Sequence, residues 1–159
     1  MKIETGYLYH IKDEFFEIVN DENLMTNHER GKKRPTYFTI KDKDILWFIP
    51  ISSKVDKYQK IVDKKVEKFG FCNTILIEEI FEKKCAILFQ NAFPTLEKYI
   101  YHINTVDGKP AKVPETLEKI ITSNFKNLLK LKARGINLFF TDIDKIKTQM
   151  LEDLKTPNK

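Results

Sequence analysis

Cationic and hydroxyl side chains are concentrated in one stretch of the chain, between residues 27 and 54. Four cations occupy five consecutive positions of a polar segment: Arg30, Lys32, Lys33 and Arg34. Ser52, Ser53 and Lys54 follow an apolar run that is interrupted at Pro50. Hydroxyls and cations that meet at the mouth of a sheet suit a phosphodiester better than an apolar ligand.

These residue types can support cleavage of RNA without a metal ion. In that reaction the 2′-hydroxyl attacks the adjacent phosphate and the 5′-oxygen leaves, so one proton is removed, another is supplied, and extra charge on the phosphate is stabilised. Ser52 and Ser53 offer hydroxyl donors, and Lys33 and Arg34 offer positive charge, Arg34 to two oxygens at once. His28 is the histidine of the polar segment and therefore the candidate for proton transfer.

Each of these residues also has a simpler interpretation. Ser53 stands where a helix N-cap belongs, and Asp56 three positions later completes a pattern like a capping box. The run from Arg30 to Arg34 can be a solvated basic patch, and His28 a surface histidine. His10 and His102 lie in apolar-rich segments, where we expect structural roles.

The elements that must position these residues are predicted from hydrophobic periodicity and turn signals. A strand is predicted over residues 3–10, a short helix over 12–19 and a long polar loop over 20–34. Apolar positions at helical spacing predict helices over residues 54–68 and 115–134, the second ending at Gly135, and a last helix from the N-cap Thr141 to about Leu154. The remaining predicted elements are a hairpin of strands 36–40 and 45–50, strands 74–81 and 85–90, a segment 97–104 that is strand or helix, and a turn over 107–110.

This order of elements predicts an α+β fold with a strongly twisted antiparallel sheet, or partial barrel, and flanking helices. The 159 residues, 42% of them hydrophobic and twelve of them Phe, suffice for a single domain over residues 1–159 with a disordered tail at 155–159. The net charge of +5 permits a nucleic-acid partner without selecting one.

Several classes of protein have no support in the sequence. Cys72 and Cys85 form no CxxC pair, so we expect reduced thiols, a cytoplasmic protein and no structural metal. No apolar run approaches the roughly 20 residues that cross a membrane. Signatures of metalloproteases, EF-hands, P-loops, dinucleotide sites and serine-hydrolase elbows are absent, and we expect no cofactor.

The chain resembles the type III toxin–antitoxin endoribonucleases, the ToxN and AbiQ group, and within it the CptN branch. The resemblance rests on an N-terminal strand with Tyr7 and Tyr9, on the triplet Lys33-Arg34-Pro35 before a strand, and on the sequence from Pro50 to Lys54 ahead of a basic helix. The order of the later elements also fits, so the resemblance covers most of the chain.

This resemblance implies a fold like that of the MazF and Kid toxins and a metal-independent endoribonuclease that leaves 2′,3′-cyclic phosphate and 5′-hydroxyl ends. It implies an antitoxin RNA pseudoknot, cut by the toxin from tandem repeats, that inhibits the toxin in a closed protein–RNA ring. The other substrates would be cellular or phage RNA, and the biological setting abortive infection or plasmid and chromosomal maintenance.

Residue by residue, Ser53 matches the family's active-site serine, and Ser52 stands where relatives often have Thr. The essential cation falls on Lys33 or Arg34; we favour Arg34, which cannot donate a proton, and this turns attention to His28 as acid or base. The predicted RNA-binding residues are Asn27, Arg30, Lys32, Lys54, Lys57, Lys60, Lys64 and Tyr7, with Lys119, Lys126, Lys130 and Lys132 as further candidates on the long helix. The alternatives are a non-catalytic RNA-binding module and a MazF-like toxin with a protein antitoxin.

Overall fold

A computed structural model describes residues 2–29 and 31–156. The predicted RNA-binding residue Arg30 and the last three residues of the predicted disordered tail lie outside this description. The strands are β1 (Leu8–Ile11), β2 (His28–Glu29), β3 (Lys32–Lys33), β4 (Thr36–Asp42), β5 (Ile45–Ser52), β6 (Ile75–Ile80), β7 (Lys83–Leu88), β8 (Phe93–Thr95), β9 (Ile100–Ile103), β10 (Thr105–Val106) and β11 (Lys109–Pro110). The helices are α1 (Asp13–Ile18), α2 (Val55–Phe69), α3 (Glu115–Ala133) and α4 (Ile143–Leu154), with 3-10 turns at Phe89–Asn91 and Glu97–Tyr99.

Seven strands form one antiparallel sheet, which confirms the predicted α+β class. Its hydrogen-bonded order is β6-β7-β5-β4-β1-β9, and β8 adds to β5. Among the described residues no pairing joins β6 to β9, so the sheet is open rather than a closed barrel. The hairpins β2–β3 and β10–β11 stand outside this sheet.

Strand β5 is the centre of the molecule, and all eight of its residues are buried. Along one edge it pairs with β4; along the other it pairs first with β8, at residues 46–48, and then with β7, at residues 51–52. Pro50 lies where β5 changes from one neighbour to the other, a position at which its missing N–H removes no bond from that edge. Ser52 is the last residue of this buried strand, so its position is fixed by the pairing of β5 with its neighbours.

The core fills the space between the sheet and the helices. Phe48 stacks on Phe38 and Phe93, with ring centroids 5.3 and 6.2 Å away, and Trp47 meets Phe125 of α3 at 5.7 Å. Such aromatic pairs add to the free energy gained from burying apolar area. No helix of the described part of the chain is long and apolar enough to cross a membrane.

Most predicted elements are present, although several differ in detail. The first strand begins at Leu8 rather than at residue 3, and the loop predicted over residues 20–34 contains the β2–β3 hairpin. The segment 97–104 resolves into a 3-10 turn and β9. Asp142, not Thr141, caps α4, because its side chain accepts from the Lys145 amide at 3.2 Å while the Thr141 hydroxyl donates to the Ala92 carbonyl.

Candidate active site and nucleic-acid interface

Glu29 is the acceptor on which donors from three residues converge. Arg34 Nη1 donates to its Oε2 at 2.7 Å, and Ser52 Oγ donates to the same oxygen at 2.9 Å. Its Oε1 accepts from the backbone amide of Ser53 at 3.0 Å and from the Ser53 hydroxyl. Four donors from three residues therefore bind one carboxylate. The same donors could bind two oxygens of a phosphate.

Three separate elements bring this cluster together. Glu29 is the last residue of β2, Arg34 follows β3, and the two serines join β5 to α2. Arg34 is fixed further by Nε to the Thr26 carbonyl at 2.9 Å and by Nη1 to the Ile51 carbonyl at 3.2 Å. With its side chain only 4% exposed, Arg34 is a buried cation whose charge is compensated by Glu29.

The hydrogen bonds at Glu29 outweigh the effect of its burial on the pKa. Burial alone would raise the pKa of the carboxyl, but the side-chain and backbone hydrogen bonds from Ser53, the bond from Ser52 and the charge of Arg34 lower it to about 2. Glu29 is therefore ionised at neutral pH and is a weak base as long as these donors hold it.

Ser53 does not cap α2, and the prediction that it does is wrong. The cap position belongs to Lys54, and the Ser53 hydroxyl donates to Glu29 instead. The Lys54 amide is satisfied by Ser52 Oγ at 3.1 Å. The Ser53 hydroxyl, which the local sequence predicts as a helix cap, thus binds the carboxylate of a residue distant in sequence instead.

A second carboxylate, Asp13 at the start of α1, organises the other predicted catalytic residues. It accepts from Asn27 Nδ2 at 2.7 Å, from Lys33 Nζ at 3.1 Å and makes a contact of 2.9 Å with His28 Nε2. The hydrogen bond from Asn27, followed by those from Lys33 and His28, lowers the pKa of Asp13 to about 2 although burial opposes the change.

The five predicted catalytic residues therefore divide into two groups. Ser52, Ser53 and Arg34 surround Glu29, whereas His28 and Lys33 surround Asp13. The hairpin explains the division: His28 and Lys33 are a cross-strand pair, so their side chains leave the hairpin on the same side. Each is adjacent in sequence to a member of the other group.

Sequence reasoning missed both carboxylates. Glu29 could have been found, because it is an acidic residue inside the basic segment and a buried Arg requires an anionic partner. Asp13 gave no local signal, because the contacts that define its role come from residues at least 14 positions away.

The predicted RNA-binding residues have different surroundings. Asn27 is buried; its Nδ2 donates to the Ile11 carbonyl at 2.8 Å as well as to Asp13, and its carbonyl accepts from the Arg34 amide. Tyr7 is half-buried, with Lys112 Nζ 5.9 Å from its ring centroid. The other members described are exposed: Lys32, Lys54, Lys57, Lys60 and Lys64.

A basic surface also runs along α3. An open groove there is lined by Lys119, Lys126 and Lys130 together with Ile120 and Ser123. The fourth lysine proposed for this helix, Lys132, is paired with Asp144 at 2.7 Å.

No family model and no curated protein sequence matches this chain. Its structure, however, is similar to that of AbiQ, a lactococcal anti-phage endoribonuclease of a type III toxin–antitoxin system, with a TM-score of 0.75, 12% identity and coverage of 96% of this chain and 100% of the other. A second solved structure, from work on bacterial type III systems in which a non-coding RNA pseudoknot selectively inhibits the toxin, has a TM-score of 0.68, 14% identity and the same coverage. At these identities the similarity shows the fold, and it confirms the fold predicted from the family resemblance.

Proposed function

We propose that this protein is a metal-independent endoribonuclease toxin of a type III toxin–antitoxin system. The observation that carries the proposal is the convergence of Ser52, Ser53 and Arg34 on the Glu29 carboxylate, at the end of the central strand of this fold. The two structural neighbours support it: one is an endoribonuclease, and the other comes from work on type III systems in which an RNA pseudoknot inhibits the toxin.

The donors around Glu29 form an anion site that the protein fills with its own carboxylate. A scissile phosphate would accept from the hydroxyl and amide of Ser53 and from the hydroxyl of Ser52, so it competes with Glu29 for the same hydrogens. These donors would stabilise the charge that grows on the phosphate oxygens as the 2′-hydroxyl attacks phosphorus. The bond from phosphorus to the 5′-oxygen then breaks, which leaves a 2′,3′-cyclic phosphate and a 5′-hydroxyl.

Two cations have distinct roles in this mechanism. Arg34 stays buried, paired and bonded to backbone carbonyls, and it positions Glu29 and the serines. Lys33, whose side chain is 20% exposed, is the cation that can reach the substrate from the Asp13 side. We therefore assign the essential family cation to Lys33, where sequence alone favoured Arg34.

Two groups can exchange protons with the reacting oxygens. His28 is half exposed, and imidazole can both accept and donate a proton. Glu29 becomes a stronger base once a phosphate displaces it from the serines, because the hydrogen bonds that lower its pKa are then lost.

The partners follow from the same proposal. An antitoxin RNA pseudoknot, cut from tandem repeats, would bind the exposed lysines of α2 and α3 and close a ring of alternating protein and RNA. Free of that RNA, the toxin would cut cellular or phage RNA in the cytoplasm and so act in abortive infection. A MazF-like arrangement with a protein antitoxin would instead show a small open reading frame upstream of the gene.

One observation favours a second candidate, a non-catalytic RNA-binding module: Glu29 already occupies the serine hydroxyls, as it would in a purely structural cluster. Purification from the native operon, with analysis of the ends of bound RNA, separates the two. An enzyme yields a discrete short RNA with a 2′,3′-cyclic phosphate that disappears in Ser53→Ala. A binding module yields heterogeneous RNA that is indifferent to the substitution.

A further inference from the structure

Three aromatic rings and a lysine lie together at the edge of the main sheet, outside the serine cluster. The rings of His10 and His102 are 4.7 Å apart, and the ring of Tyr101 meets that of His102 at 4.5 Å. Lys33 Nζ lies 5.3 Å from the centroid of the Tyr101 ring. Tyr101 is 52% exposed, and His102 is exposed as well.

A β-bulge produces this arrangement. Tyr9 pairs with Ile103 and His10 with His102, but Ile11 pairs with Ile100, so Tyr101 is an extra residue in β9. In a regular strand Tyr101 and His102 would point to opposite faces. The bulge turns the Tyr101 ring toward His102 and Lys33, and bulges of this kind often redirect a side chain beside a functional site.

The ring of His10, the least exposed of the three, is held in place by Asn104. His10 is half-buried, and its Nε2 is 2.7 Å from Asn104 Oδ1. Burial, and to a smaller extent the charges of His102 and Lys33, lower the pKa of His10. Its ring is therefore neutral at pH 7 and gives the outer rings a fixed support without adding a second cation beside Lys33.

This aromatic group is continuous with the proposed catalytic site. Lys33 contacts Tyr101 on one side and Asp13 on the other, and the next residue, Arg34, contacts the carboxylate that holds Ser53. Exposed aromatic rings beside a backbone-binding cation are the means by which proteins bind single-stranded nucleic acid, since every base has a face that stacks.

We infer that the exposed rings of Tyr101 and His102 bind an unpaired nucleobase of single-stranded RNA, while Lys33 binds the adjoining phosphate. The inference rests on the proposed function, because it names the part of the substrate that the site beside Ser53 receives. Stacking tolerates every base, so this subsite fixes the position of the strand rather than reading its sequence.

The test uses a short single-stranded 2′-O-methyl oligonucleotide with 2-aminopurine placed at each position in turn. The probe lacks the attacking hydroxyl and cannot be cut, and 2-aminopurine loses fluorescence when it stacks. We expect quenching at one position with the wild-type protein, loss of that quenching and roughly tenfold weaker binding with Tyr101→Ala, and retention of both with Tyr101→Phe.

Phe69 offers a matched control. It is 58% exposed, Lys68 Nζ lies 5.1 Å from its ring centroid, and the 15 residues of α2 separate it from Ser53 by roughly 20 Å. Phe69→Ala should leave quenching and affinity unchanged. The inference is overturned if no position is quenched by the wild-type protein, or if Tyr101→Ala quenches and binds as the wild type does.

Cleavage of an ordinary RNA separates the two proposals. If the protein cuts RNA and Tyr101→Ala changes neither cleavage nor quenching, the stacking site fails while the endoribonuclease stands. If Tyr101-dependent quenching is present but the protein does not cut RNA, the endoribonuclease fails and the stacking site stands.

Discussion

The Arg34 guanidinium donates to the Glu29 carboxylate at 2.7 Å, with the two side chains only 4% and 12% exposed. This ion pair joins the β2–β3 hairpin to the end of β5, because Glu29 also holds both serines. Charges this deeply buried depend on each other, since neither is well solvated without its partner. The same contact therefore bears on the stability of the fold and on the geometry of the proposed site.

Removal of the Glu29 carboxylate should destabilise the protein strongly. Glu29→Ala leaves the Arg34 charge buried and uncompensated, and we expect a loss of about 3–5 kcal/mol in the free energy of unfolding. Urea denaturation followed by circular dichroism measures it. The control is Asp144→Ala, which removes the 76% exposed carboxylate paired with Lys132 and should cost under about 1 kcal/mol. Equal losses in the two variants would show that the Arg34–Glu29 pair stabilises the fold no more than the Lys132–Asp144 pair does.

Acid should weaken the fold through the same carboxylate. The pKa of Glu29 falls from 4.5 to about 2 in the folded protein, so the ionised form stabilises the fold above pH 4.5. That stabilisation, about 3 kcal/mol, is lost as the pH falls from 4.5 toward 2, because the unfolded chain takes up the proton first. Urea denaturation at a series of pH values should show a steeper decline for the wild type than for Glu29→Gln. If the free energy of unfolding falls equally with pH in the two proteins, Glu29 is not the carboxylate through which acid weakens the fold.

Local patterns in the sequence predicted much of the fold, and tertiary contacts explain what they missed. The β4–β5 hairpin, α2 and α3 follow from periodicity that a few neighbouring residues set. The role of Ser53 does not, because its partner Glu29 is 24 positions away and displaces the local cap. The bulge at Tyr101 likewise depends on pairing with β1, which no window of β9 contains.

The sequence indicates which residues could form the candidate site, but it does not indicate which of them lie together. Ser52, Ser53 and the basic segment are visible from order and spacing along the chain. Which cation is buried and which is accessible depends on the direction in which each leaves the hairpin. Arg34 turns inward to Glu29 and Lys33 outward to Asp13, and that distinction requires coordinates.

Loss of the Ser53 hydroxyl should reduce RNA cleavage far more than it reduces RNA binding. Removal of one donor to the charge that develops in a transition state costs about 100- to 1,000-fold in rate, and we expect a loss of that size in Ser53→Ala. Single-turnover cleavage of a labelled RNA measures the rate, and filter binding to a 2′-O-methyl RNA measures affinity. Thr148→Ala, which removes an exposed hydroxyl on α4, should cleave normally. A Ser53→Ala protein that cleaves at the wild-type rate would remove Ser53 from the mechanism.

The two cations of the hairpin should respond differently to substitution. Lys33→Ala should lower the cleavage rate with only a small loss of stability, because its partner Asp13 is half exposed and solvent weakens the pair. Arg34→Ala should lower the stability as well, since it leaves Glu29 buried without its cation. Urea denaturation beside single-turnover cleavage distinguishes the two effects. If Arg34→Ala unfolds at the wild-type urea concentration and only cleavage is lost, Arg34 rather than Lys33 is the cation that acts on the substrate.

The exposed lysines of α2 should contribute to RNA binding through phosphate contacts. Lys57, Lys60 and Lys64 follow Ser53 along one helix, and a phosphate-binding lysine releases a counterion when RNA binds. Each substitution by Ala should therefore weaken binding to all RNA sequences alike and reduce the slope of log affinity against log salt by about one. Lys145→Ala, an exposed lysine on α4, supplies the control, and its slope should equal that of the wild type. If the α2 variants keep the wild-type slope, these lysines are only the solvated face of the helix, and RNA would be bound by other cations such as those of the α3 groove.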